Sequence, residues 1–138
     1  MVRKITRSAV CFTAGLFAIA LGVNAFAADD KKADKLLDVE EIMKVGHSKN
    51  GYIAKIKTAT KGEKWEDAAK SAELLKANGE MLGKNTVEKG DADSWKKLSD
   101  KYAKSTAAVA TAVEKKDAAA VTKALGSINC KECHDAHK

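Results

Sequence analysis

SWKKLSDKYAKSTAAVATAV, residues 94–113, decides the fold. Trp95, Leu98, Tyr102, Val109 and Val113 recur at steps of three, four and seven, the spacing that lines one face of an α-helix. Lys115 and Lys116 follow, and positive side chains suit a helix's C-terminal end. The same pattern extends in both directions. Upstream, Trp65, Ala68, Ala72, Leu75 and Leu82 mark a helix that closes on a polar, glycine-containing loop over 83–93. Before it, Asp38 and Glu41 resemble a capping box. They open a helix carrying Val39, Ile42, Met43, Gly46, Ile53 and Ile56 to about residue 60, with a break at Lys61 and Gly62. Downstream, Asp117 can cap a fourth helix, where Val121, Leu125 and Ile128 continue towards Cys130.

Four amphipathic helices with short links predict an all-α chain, an antiparallel up-and-down four-helix bundle over 38–138. Composition agrees: proline is absent, aromatics are 5% and alanine and lysine are plentiful, which favours helix over a β-sandwich or barrel. At 138 residues, 45% apolar, the chain suits one domain and excludes a multidomain enzyme. Its stripes are heavy in alanine and glycine. Such a core either brings helices into close approach or leaves room that another group fills.

Residues 1–27 read as a cleaved secretory signal. Arg3, Lys4 and Arg7 precede an uncharged apolar run, and Ala25-Phe26-Ala27 supplies the small-residue site before Ala28. The run is shorter than the ~20 residues of a spanning helix, so no stable membrane insertion is expected after cleavage. Cys11 precedes most of the apolar run, which does not suit lipid attachment. Cleavage removes three basic residues and no acid, taking the formal charge from +6 to +3, and leaves no arginine. The charged segment 28–37 reads as a flexible tether, and the mature protein is expected in the periplasm or otherwise exported. With no arginine and no clustered basic stripe, nucleic-acid binding has no support.

Two cysteines remain, in Cys130-Lys131-Glu132-Cys133-His134. A disulfide at this spacing closes a tiny loop and stabilises little. C-x-x-C-H is the pattern of covalent haem attachment. Two thiols one helical turn apart can each form a thioether with a haem vinyl group, and the adjacent histidine reaches the iron from the same side. A zinc site is one competitor, but beyond His134 and His137 only the distant His47 could complete a closed set of four ligands. A thioredoxin-like pair is another, but it follows a strand and opens a helix, whereas this pair is expected towards the end of the last helix. Two unrelated thiols are the third. Export, the adjacent histidine and the helical pattern favour one covalent haem c.

The motif's position, a few residues from the C-terminus of a predicted four-helix bundle, resembles the class II c-type cytochromes, the cytochrome c-prime family. The resemblance runs from about residue 38 to 138. It includes the tail CKECHDAHK (130–138), the opening WEDAA (65–69) of the second helix, and GDADSW (90–95) before the third. It implies that Cys130 and Cys133 bind haem covalently and that His134 is the proximal iron ligand. It also implies a distal residue from the first helix, and counting back from Trp65 puts Met43 there. His47, four residues on and on the same face, is the alternative ligand, an open five-coordinate iron is the third case, and Met81 is the weakest candidate. Gly46 lies beside them, where a missing side chain would let backbone approach a flat cofactor. His137 and Lys138 stand where many relatives carry an aromatic and an arginine, and His137 reads as an exposed tail residue.

These residues suit a soluble electron carrier and not an enzyme, because a His134/Met43 iron keeps its ligands in both oxidation states. Surface lysines are expected to meet an acidic redox partner protein, although most only solvate helix faces. The other reading is a five-coordinate haem protein that binds carbon monoxide or nitric oxide for sensing, storage or scavenging. A peroxidase is weaker, since only His47 could act as its distal acid–base group. Some relatives form homodimers, which leaves that association open here.

Overall fold

The computed structural model describes residues 36–138, and all described secondary structure is helical. The signal 1–27 and tether residues 28–35 lie outside the described residues. Six helices follow in order: α1 (Val39–His47), α2 (Tyr52–Lys61), α3 (Trp65–Leu82), α4 (Ala92–Glu114), α5 (Ala118–Gly126) and α6 (Cys130–His137). None among the described residues is long and apolar enough to cross a membrane.

Three starts are built from carboxylate caps. The Asp38 side chain accepts from Glu41 N at 2.7 Å while Glu41 reaches back to Asp38 N, completing the expected capping box. Asp91 accepts from Ser94 N and Asp117 from Ala120 N, both at 2.9 Å. The cap at Asp91 starts α4 at Ala92, two residues before the expected start.

Two expected helices are broken. The first, anticipated as continuous to about residue 60, divides at Ser48–Gly51. A Cβ at Gly51 would lie 2.8 Å from the carbonyl oxygens of both Val45 and Gly46. The chain therefore turns tightly over the end of α1 only because residue 51 has no side chain. The fourth divides at residues 127–129: the Ser127 hydroxyl donates to Ala124 O, and the Asn129 side chain caps a new helix at Glu132 N. Cys130 thus opens α6 instead of lying towards the end of a longer helix, so the helix-opening position no longer separates this pair from a thioredoxin-like one. Among the described residues this pair is preceded by helix α5 and not by a strand.

Helix α3 packs on α2 and α4, α4 on α5, and α5 on α2, which closes a ring; α1 rests on α2 and α3, and α6 on α4. Where α3 meets α4, a Cβ on Gly79 would overlap Thr106 Oγ1 and lie 3.2 Å from Ala103 Cα, so glycine sets how closely these helices approach. Two apolar clusters result. The larger holds Ile56, Leu75, Val109, Val113 and Val121 with small alanines. The smaller holds Ile42, Leu82 and Trp95, with Leu37, Met43, Tyr102 and Cys133 packed on it. Leu37 therefore belongs to the packed body and not to a free tether.

Candidate functional site

The smaller cluster forms the floor of a cavity of about 920 Å³. It is within the range of small-molecule and cofactor sites, roughly 300–1,000 Å³. Met43 and His47 of α1 line it together with Cys130, Cys133 and His134 of α6, so these five candidates from the two ends of the described chain share one cavity, and Met81 does not join them. Leu82, Trp95, Leu98 and Tyr102 complete the wall with the 85–89 loop.

Each group stands in a different environment. Cys130 is exposed at the first position of α6. Cys133, one turn on, is half-buried against the Ile42–Leu82–Trp95 cluster. Burial, then Cys130 and Glu132, push its thiol above the ordinary range. His134 is exposed on the same turn. Met43 is partly buried in the cluster. His47 Nε2 lies 2.9 Å from the Tyr102 hydroxyl. Burial, and then the nearby His134, hold the His47 imidazole below its usual value, so its neutral form is favoured. Burial, and then Cys130, raise the Tyr102 phenol, which stays protonated.

Three expectations change. Gly46 is buried but does not line the cavity, and a Cβ there would meet Leu75 and the Tyr102 hydroxyl at 3.7 Å, an ordinary van der Waals contact, so neither cofactor approach nor packing requires glycine here. His137 is not a free tail residue; its ring contacts Ser94, Lys89 and Trp95. Met81 is partly buried on the smaller cluster but off the cavity wall. Tyr102, read from periodicity as core, is a polar wall residue. Its presence on an otherwise apolar stripe was the only signal, since spacing shows a face and not the partner of a hydroxyl.

The residues fit a flat, covalently held group. They offer two thiols on one helix, one of them at an apolar floor, a histidine on the same turn and a thioether from α1 on the same cavity. Among the described residues no three His, Cys, Asp or Glu side chains are gathered to hold a metal ion, so the zinc reading has no assembled ligand set. Comparison with protein-family models, with curated proteins and with solved structures finds no match for this chain.

Proposed function

We propose that this chain is a monohaem c-type cytochrome resembling class II, exported and acting as a soluble electron carrier. The observation that carries the reading is the meeting of Met43 with Cys130, Cys133 and His134 around one cavity. The six helices are read as four columns, with α1 joined to α2 and α5 to α6. The packing order α2–α3–α4–α5–α2 supports an antiparallel up-and-down bundle.

Haem c, when bound, supplies the reversible one-electron couple of its iron. Cys130 and Cys133 would hold it covalently through their sulfurs, which would give His134 a high effective concentration as an iron ligand. Met43 would supply a thioether ligand to the iron, with His47 as its competitor. Leu82, Trp95 and Leu98 exclude water from one side of the cavity. His47, kept neutral by burial, adds no charge to the wall. The chain itself breaks and forms no substrate bonds. Lys97 and Lys101 both act on Glu132 inside the motif; Lys101 pairs with it, which leaves Lys97 as the positive charge facing an acidic redox partner protein.

Expression in a cell that matures c-type cytochromes tests the reading. The expected product is a coloured protein whose haem stays with the chain after denaturation and extraction. Cys130→Ser with Cys133→Ser abolishes that attachment. A colourless product with both thiols free overturns the proposal.

A further inference from the structure

Helix α6 has eight residues and none of them is fully buried. A helix this short does not persist alone in water, so its position depends on what holds it. The Lys101–Glu132 pair at 2.5 Å is exposed on both sides, and such pairs contribute only about 0–1 kcal/mol. Lys89 Nζ also donates to the carbonyl oxygen of Lys138 at the exposed end. Within α6, Cys133 and His137 are the two half-buried residues.

His137 makes three contacts at once. Its Nδ1 lies 3.0 Å from Lys89 O, 48 residues away. A carbonyl oxygen only accepts, so Nδ1 carries the proton, and in the neutral ring Nε2 then accepts from Ser94 Oγ at 3.2 Å. The ring meets Trp95 edge-on, with centroids 5.4 Å apart and planes at 78°. Trp95 Nε1 in turn donates to Asn85 O at 2.8 Å. Gly90, at φ +92°, has its backbone against the ring: a Cβ there would overlap His137 Nδ1 and lie 2.7 Å from Ala136 O. The loop is shaped to receive this side chain.

We propose that His137 is a positioning residue that clamps α6 to the 83–91 loop and the start of α4, and so holds Cys133 and His134 at the cavity. The purpose given to the clamp rests on the haem reading above; the clamp itself does not.

The test uses the complete mature chain, both without haem and loaded. Amide hydrogen exchange is followed in α6, in residues 85–90 and in the α3 core, and the His137 ring nitrogens are followed by NMR. In wild type, Nδ1 carries the proton. His137→Ala accelerates exchange in α6 and the loop about tenfold, with α3 amides unchanged. His137→Asn, which keeps a donor and an acceptor, restores most of the protection. Gly90→Ala reproduces the loss, and combining it with His137→Ala adds little further effect. In the loaded protein, His137→Ala shifts the proximal histidine resonances while haem stays attached. Unchanged exchange in α6, or equal acceleration in α3, overturns the clamp. A chain that takes up no haem overturns the proposed function instead, while exchange still decides the clamp.

Discussion

His47 of α1 and Tyr102 of α4, 55 residues apart in the chain, join side chains across the cavity wall through a 2.9 Å hydrogen bond. This bond ties the nine-residue α1 to α4, which at 23 residues is the longest described helix. Tyr102→Phe keeps the ring and leaves the part-buried Nε2 without its partner. The expected cost is about 1–2 kcal/mol, read as a lower urea midpoint with an unchanged slope.

The pH dependence follows from the same imidazole. His47 is held below its ordinary value of 6.5, so in the pH window between the two values the unfolded chain binds more protons than the folded one. Its contribution to stability is complete above 6.5 and is lost as pH falls through the lowered folded value. Urea midpoints between about pH 7 and pH 5 are expected to fall more steeply in wild type than in His47→Gln. Equal slopes would remove His47 as the cause.

Met43 is partly buried on the Ile42–Leu82–Trp95 cluster, so Met43→Ala should cost about 1–3 kcal/mol, less than a full core truncation. In the haem-loaded protein the same change is expected to abolish the low-spin spectrum and lower the reduction potential. A retained low-spin spectrum would move the distal position to His47. A wild-type spectrum that is already high-spin would favour the gas-binding reading.

In the reduced chain without haem, Cys130 is exposed while the Cys133 thiol is half-buried and raised. Alkylation near neutral pH, followed by peptide mass spectrometry, should modify Cys130 about five- to tenfold faster than Cys133. Equal rates would mean that α6 does not rest on the cavity floor.

Gly79→Ala sets two effects against each other. Alanine favours helix by about 1 kcal/mol, but its methyl group would overlap Thr106 Oγ1 at the α3–α4 contact, and overpacking costs about 1–3 kcal/mol. Net destabilisation of about 1 kcal/mol is expected in thermal or urea unfolding. Thr106→Ala in the same chain should recover part of it.

The elements that were legible in the sequence are those decided by local chemistry. Asp38 with Glu41 and Asp117 act as the caps their types suggested, and Leu75, Val109 and Val113 are buried as their spacing required. The breaks at Ser48–Gly51 and at residues 127–129 were not. Gly51 looks like a tolerated helix glycine until the carbonyls of Val45 and Gly46 are seen against it. Ser127 and Asn129 carry ordinary turn chemistry that an apolar stripe through Ile128 concealed. At the site, the motif and its helical neighbours were legible because they are close in sequence. The hydrogen-bond partners of Tyr102 and His137 were not, since each lies 43 to 55 residues away and leaves no periodic trace.

No residue of the larger buried cluster touches the cavity. The buried frame and the pocket wall are therefore built from different residues, so an exchange in the wall forfeits the wall's own contacts and leaves the frame's packing in place. Natural drift or a protein engineer that changes Met43, His47, Leu98 or Tyr102 leaves Ile56, Leu75, Val109 and Val121 untouched, so new pocket chemistries can be tried here one wall at a time at the wall's own cost.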